Sequence, residues 1–310
     1  MTNNQITYLV FGAILLLALF FDLGLLSKRS TTISIKKALW QTVFWVVLAI
    51  AFFFFMWVEE NQFKAFEYLS AYLMEWSLSI DNIFVFILIL TFFKVKETHY
   101  ARTLLIGILI AVILRVIFIT AGVALVQQFS WLLYVFGGIL LITGIRMFTA
   151  KNDNEFHPEK NIIYKWIKKI LPIIPDDVEG KFIIKRNGKR FYTTLFLVII
   201  LLASTDIVFA LDSIPAVFAI TQDKLIIYTS NIFAVLGLRS MFFLLKDAVN
   251  RFQYLQQGIA IVLIFIGLKM LAEIFHFTIP IYISLMVIIV CIGGSIVYSL
   301  QESTKKTKQG

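Results

Sequence analysis

Two stretches of otherwise apolar sequence, 74–86 and 204–216, carry oxygen-bearing side chains that could do chemistry. The candidate ligands among them are four carboxylates, one amide and one hydroxyl, on Glu75, Asp81, Asn82, Asp206, Asp212 and Ser213. No cysteine lies nearby, and no histidine lies in the central apolar runs. Oxygen ligands suit Mg²⁺, Ca²⁺ or Mn²⁺ rather than Zn²⁺ or Cu²⁺. The residue types therefore predict a site for a hard divalent cation.

These charges are costly where the sequence puts them. A charged side chain at the centre of a membrane helix costs roughly 2.5–3.5 kcal/mol on insertion scales. Four acids together with Arg115 and Arg239 would cost on the order of 15 kcal/mol before pairing, so they must find partners. Ion pairing alone is the structural alternative, but two arginines against four acids leave two negative charges. That surplus suits a divalent cation or protons. Asp22, near the inner end of the first run, faces either water or the ion path.

Helical spacing separates the two acids of each stretch. Glu75, Ser79 and Asn82 share one helix face, whereas Asp81 lies about 120° from Glu75, and Asp206 and Asp212 are offset in the same way. One ion could reach both acids of a stretch only if the helix unwinds between them. Pro215 favours such a break, because proline lacks a backbone donor. Alternatively, the two acids are successive stations for an ion or a proton.

The elements that position these residues are membrane helices. The chain has 310 residues, of which 60% are hydrophobic and only 15% charged, against about 25% charged residues in soluble domains. A helix needs roughly 20 apolar residues to cross a bilayer. Such runs predict nine spans at about 6–26, 39–58, 66–93, 104–126, 130–149, 191–220, 226–245, 254–275 and 279–299. The predicted fold is an all-α, polytopic membrane helix bundle, and the single cysteine, Cys291, cannot form an intrachain disulfide.

Loop charges predict the orientation of this bundle. Lysine and arginine are in excess in alternate loops, namely 27–38, 94–103, 150–190, 246–253 and the C-terminal tail. The positive-inside rule then puts the N-terminus outside and the C-terminus in the cytoplasm of a multi-pass cell-membrane protein. The net charge of +9 is read as this loop charge and not as nucleic-acid binding, since no nucleic-acid motif is present.

The chain divides into membrane parts at 1–149 and 191–310 around a cytoplasmic loop at 150–190. In that loop, KWIKKILPIIPDD predicts a short amphipathic helix, and Asn187-Gly188 between β-prone arms predicts a hairpin. We expect this loop to be a lid or a docking element for a membrane or secretion-machinery partner, or to contact anionic lipid.

An inverted three-helix repeat is predicted at about 66–149 and 191–275. Four landmarks recur in the same order: Glu75 with Asp206, Asp81 with Asp212, Arg115 with Arg239, and Arg146 with Lys269. Three spans separate the copies, so the second copy enters the membrane from the opposite side. Inverted repeats with a site near the midplane are typical of secondary transporters.

Several motifs resemble the TerC family of bacterial and plastid membrane proteins. The resemblance rests on EWSLSIDNIFVF, STDIVFALDSIPAVFAIT, DLGLL, LYVFGGILLITGIRMF, the Asn-Gly hairpin and NIFAVLGLRSMFFLL, and it covers nearly the whole chain. It implies a bundle related to the LysE-type exporter superfamily, manganese efflux, and an association with tellurite resistance in some members. It also implies that the six oxygen-bearing residues above hold the metal. The tellurite label does not follow from the residues, because an acidic site repels an oxyanion.

The leading prediction is thus an exporter of Mn²⁺, with proton exchange as the coupling hypothesis and no cofactor beyond the transported ion. Ca²⁺ exchange is permitted equally by oxygen ligands. An intramembrane aspartyl protease needs a Gly-x-Gly-Asp context, which neither Asp81 nor Asp212 has, so no enzyme is predicted. A membrane partner that supports secretion or metal loading of exported proteins, docked through 150–190, is the third alternative.

Overall fold

The structure is a computed structural model that describes residues 7–17, 33–149, 172–174, 180–186, 189–246, 254–275, 277 and 279–309. Within these ranges some side chains lie outside the description: Ile80, Asp81, Phe84, Ile174, Arg186, Lys189, Leu211, Asp212, Leu255, Glu273, Ile281, Leu300 and 303–309. Three sequence predictions also fall wholly or mostly outside it: Asp22, the amphipathic helix within KWIKKILPIIPDD, of which only 172–174 are described, and the turn at Asn187-Gly188.

The described chain is almost entirely helical, as a lipid environment requires, because a helix satisfies its backbone hydrogen bonds internally. The helices are α1 (Thr7–Leu17), α2 (Ile35–Glu59), α3 (Gln62–Phe92), α4 (Glu97–Gln128), α5 (Leu132–Thr149), α6 (Thr194–Phe218), α7 (Lys224–Leu245), α8 (Leu255–Ala272) and α9 (Ile281–Gln309). A 3₁₀ turn, Glu273–Phe275, follows α8. Side-chain caps start two of the central helices: Asn61 accepts a hydrogen bond from the Lys64 amide, and Asp223 accepts one from the Leu225 amide.

Among the described residues, 6 helices are long and apolar enough to cross a membrane: α2, α4, α5, α6, α7 and the Tyr282–Ser299 part of α9. α1 and the Gln256–Ala272 part of α8 are shorter apolar helices. α3 has 31 residues and carries Glu67, Glu75 and Asp81. The prediction of an all-α membrane protein is confirmed. The number of nine spans and the inverted repeat stay predictions.

α7 lies at the centre of the bundle. Within its apolar stretch, 94% of the residues are buried by the rest of the chain. It packs against α2, α3 and α4, while α6 packs against α3, α4 and α5. The helices that carry the predicted site residues therefore contact one another directly.

Close packing of α5 and α8 depends on glycine. A Cβ atom on Gly267 would lie 2.8 Å from the backbone of both Gly137 and Leu141, and one on Gly144 would lie 2.8 Å from Ile264. Such distances are too short for any side chain, so the glycines let the two backbones approach each other, as is common between membrane helices.

A small sheet lies before α6. Strand β3 (Lys189–Thr193) pairs in parallel with β1 (Ile173–Ile174) and antiparallel with β2 (Ile183–Arg186). β3 runs directly into α6, whose first residue is Thr194. The guanidinium of Arg102, near the start of α4, lies 4.6 Å from the ring centre of Phe182. This contact holds the sheet against the N-terminal end of α4.

Candidate functional site

Arg115 of α4 is the centre of a buried polar network. Its side chain is only 2% exposed. Nη1 donates to Oε1 of Glu75 on α3, while Nε and Nη2 donate to the two carboxylate oxygens of Asp206 on α6 at 2.5 and 2.9 Å. The contact with Asp206 is thus bidentate, the geometry that the planar guanidinium favours. One arginine joins an acid from each predicted repeat.

Two amides complete the network. The Oδ1 atom of Asn231 on α7 lies 3.4 Å from Nη1 of Arg115, and Nδ2 of Asn82 on α3 lies 3.4 Å from Oδ1 of Asp206. Both amide side chains are buried. Four helices, α3, α4, α6 and α7, therefore meet at this one set of contacts.

The network carries one net negative charge, because two carboxylates face one guanidinium. Two polar atoms of the network, Oε2 of Glu75 and Nδ2 of Asn231, have no hydrogen-bond partner among the described residues, and neither do the buried hydroxyls of Ser79 on α3 and Ser213 on α6. Buried polar atoms in native proteins nearly always have a partner, which is another protein group, an ordered water molecule or an ion. The surplus charge and the unpaired Oε2 atom of Glu75 are features expected of a cation-binding environment.

The other predicted site residues are partly outside the description. Asp81 and Asp212 lie within α3 and α6, but their side chains are not described. Arg239 is buried on α7. Among the described residues, no group of three or more His, Cys, Asp or Glu side chains is close enough to hold a metal ion. Glu75 and Asp206 supply two acids, so a third acidic ligand would have to come from outside the described side chains.

Of the two alternatives that the sequence left open, the helix break favoured by Pro215 is not seen in the structure. α6 continues through Asp212 and Pro215 to Phe218, and α3 is likewise helical from Glu75 through Asp81. Proline removes only its own backbone donor, and membrane helices tolerate this where neighbouring groups compensate. With regular helices, the two acids of each stretch stay about 120° apart. Regular helices disfavour a single ion held by both acids of one helix, and successive stations stay a prediction.

Sequence reasoning missed Asn231. Its signal was available, because NIFAVLGLR places an amide inside an apolar run, as DNIFVF does with Asn82. What the sequence lacks is the direction in which Asn231 projects. The structure turns it towards α4, where it meets Arg115.

Comparisons with known proteins agree with this architecture. Residues 59–308 match the integral membrane protein TerC family. An uncharacterized membrane protein of Myxococcus xanthus is 42% identical over 94% of this chain and 91% of its own length. One from Rickettsia felis is 41% identical over 95% of this chain and 97% of its own. A Salmonella typhi protein named "Putative membrane-bound redox modulator Alx" is 41% identical over 90% and 88%, respectively. No solved structure matches the chain.

Proposed function

Since the chain belongs to the integral membrane protein TerC family, we propose that this multi-pass membrane protein is a secondary transporter that exports a divalent cation, with Mn²⁺ as the first candidate. The cation passes through the buried carboxylates of α3 and α6. The N-terminus lies outside and the C-terminus in the cytoplasm, in accord with the alternation of loop charge.

The observation that carries the proposal is the shared contact of Arg115 with Glu75 and Asp206. One acid is enough to neutralise a buried arginine. Arg115 contacts two acids, Glu75 and Asp206, so one negative charge is left over. The unsatisfied oxygens of Glu75, Ser79 and Ser213 lie on the same two helices. Oxygen-only ligands favour Mn²⁺, Ca²⁺ or Mg²⁺.

Charge balance supports coupling to protons. Asp81 and Asp212 raise the number of acids on α3 and α6 around this depth to four, against the two arginines 115 and 239, so two negative charges remain. A divalent cation neutralises them when it is bound. In the empty carrier, two protons would do so, because uncompensated charge in a lipid environment is costly. Metal and protons then compete for the same carboxylates, which is the basis of exchange.

Transport by purified protein in liposomes tests the proposal. Wild-type protein should move Mn²⁺ down an imposed gradient. Entry of Mn²⁺ into the lumen should raise the luminal pH, because protons leave in exchange, and exit of Mn²⁺ should lower it. Asp81→Asn and Asp212→Asn should each abolish this flux. Glu97→Gln, which neutralises a 61% exposed acid at the start of α4, is the matched control and should keep it. Unchanged flux in both aspartate variants would refute the proposal.

Competition between ions tests the choice of substrate. Excess Ca²⁺ on the Mn²⁺ side should leave Mn²⁺ flux nearly unchanged if the protein is a manganese exporter. A Ca²⁺ exchanger would instead show strong inhibition and transport Ca²⁺ itself.

A partner-protein function is the second candidate, because the sheet preceding α6 is a folded element at the end of α4. The name of the Salmonella relative refers to redox modulation. A dithiol–disulfide reaction within one chain needs two cysteines, and this sequence has one, Cys291. Deletion of 150–190 separates the candidates: a transporter keeps its Mn²⁺ flux without this loop, whereas a docking protein, which moves no Mn²⁺, loses its cellular function.

A further inference from the structure

A second set of polar contacts lies at the opposite end of α3 from the sheet. Lys64, in the first turn of α3, pairs with Oε2 of Glu60 at 2.9 Å and with Oδ2 of Asp223 at 3.1 Å. Asp223 is the N-cap of α7, and its other oxygen accepts a hydrogen bond from the Leu225 amide. The ion pair therefore joins the start of α3 to the start of α7.

Neighbouring contacts reinforce this end of the bundle. Glu60 also accepts a hydrogen bond from Thr7 of α1, and Glu67 of α3 accepts one from Thr221, two residues before Asp223. Burial lowers the pKa of the Lys64 ammonium, but the contacts with Glu60 and Asp223 together raise it by more than burial lowers it. The pKa therefore lies above the ordinary value. Lys64 is therefore charged at any physiological pH.

The same two helices are bridged again deeper in the bundle. There, Nη1 of Arg115 donates both to Glu75 of α3 and to Asn231 of α7. Lys64 and Glu75 are eleven residues apart and lie on one face of α3, which puts the two bridges about 16 Å apart along the helix. Between the two levels, Ala71 of α3 and Ile227 and Ser230 of α7 are buried.

From this arrangement we propose that the Lys64–Asp223 ion pair is the latch of an outer gate, and that it breaks when the buried carboxylates open to that side of the membrane. The role of this ion pair in a transport cycle rests on the proposed transport function. Its structural content is independent of transport: the closed pair holds the outer ends of α3 and α7 together and opposes their separation above the buried Glu75.

Thiol labelling tests the latch without any transport measurement. Cys291→Ser removes the one native thiol, and Ala71→Cys puts a reporter between Lys64 and Glu75 on the same face of α3. A membrane-impermeant maleimide is added to oriented vesicles. Asp223→Asn removes the charge but keeps a good N-cap residue. It should speed labelling about two- to fivefold, as expected for loss of a partly exposed ion pair. Lys64→Ala should do the same.

Controls separate a latch from a purely structural pair. Lys224→Ala removes an exposed lysine next to Asp223 and should leave labelling at the parent rate. The double variant Lys64→Ala/Asp223→Asn should label no faster than Lys64→Ala, because the Lys64–Asp223 pair is already lost in that single variant. Equal labelling rates in the parent, Lys64→Ala and Asp223→Asn proteins would overturn the proposal. If Lys64→Ala does not fold, Asp223→Asn decides.

A cross-link tests whether the gate must open during transport. Lys64→Cys and Asp223→Cys, in the Cys291→Ser background, are joined with a short, cleavable bifunctional thiol reagent. Bridged protein should lose Mn²⁺ flux and regain it on cleavage. Undiminished flux in the bridged state would overturn the gate. If unbridged and parent proteins move no metal, the transport proposal has failed, and the labelling rates alone decide the latch.

Discussion

At the scale of single residues, the molecule is organised around Arg115. Two carboxylates from different helices depend on one guanidinium that is almost fully buried. Removing one partner of a buried ion pair leaves an uncompensated charge, which costs far more than the pair itself contributes. The network should therefore respond to neutralisation as a unit and not residue by residue.

Arg115→Met is predicted to destabilise the fold by about 3–5 kcal/mol, because it leaves Glu75 and Asp206 buried without a cation. Thermal unfolding in detergent measures the loss. The triple variant Arg115→Met/Glu75→Gln/Asp206→Asn should recover much of it, because no unpaired charge remains. A triple variant no more stable than Arg115→Met would show that burial of charge is not the cause.

Arg115→Lys is predicted to be intermediate in stability, although the charge is kept. A lysine ammonium is a point charge and cannot donate in parallel to both oxygens of Asp206 while reaching Glu75. The same unfolding measurement should place this variant between wild type and Arg115→Met. Wild-type stability would contradict the importance of the bidentate contact.

At the scale of elements, glycines determine how closely two helices pack. Gly267→Ala is predicted to destabilise the contact between α5 and α8 by about 1–3 kcal/mol, since the new methyl group meets backbone that cannot move aside. Gly138→Ala, on α5, is the matched control: nothing lies within 4 Å of its Cβ position. That change should be neutral or slightly stabilising. Equal unfolding temperatures for both variants would refute the packing argument.

The attachment of the sheet to α4 also depends on a glycine. Gly180 has a φ angle of +71°, and a Cβ there would lie 2.8 Å from Nε2 of His99. Left-handed backbone costs other residues roughly 1–2 kcal/mol. Gly180→Ala is therefore predicted to loosen the sheet and speed amide hydrogen exchange in β2, while exchange in α7 is unchanged. Unaltered exchange in β2 would contradict this.

At the scale of the whole molecule, orientation is the main prediction. The loop 150–190 should face the cytoplasm, because lysine and arginine concentrate in that loop and in the tail. A protease added to inside-out vesicles should cut this loop, and the same protease outside intact cells should not. Cleavage in intact cells would invert the orientation and place the Lys64–Asp223 latch on the cytoplasmic side.

The sequence determined the membrane environment of this protein and the types of side chain that are available for chemistry in it. Hydropathy and composition are local properties, so apolar runs identify membrane helices whatever neighbours those helices pack against. The acids within those runs, together with Arg115 and Arg239, could also be identified as candidate site residues from the sequence, because charge is rare and costly in lipid. The sequence left open whether the helix breaks near Pro215, and the structure has a continuous helix there.

Only the tertiary structure decided which residues meet. Helical periodicity tells which side chains share a face, but not which neighbouring helix that face contacts. That choice depends on helix rotation and packing, and these brought Arg115 to Glu75, Asp206 and Asn231, and Lys64 to Asp223. The partners come from distant parts of the sequence, and their pairing follows from how glycine-lined and apolar surfaces fit together across the bundle.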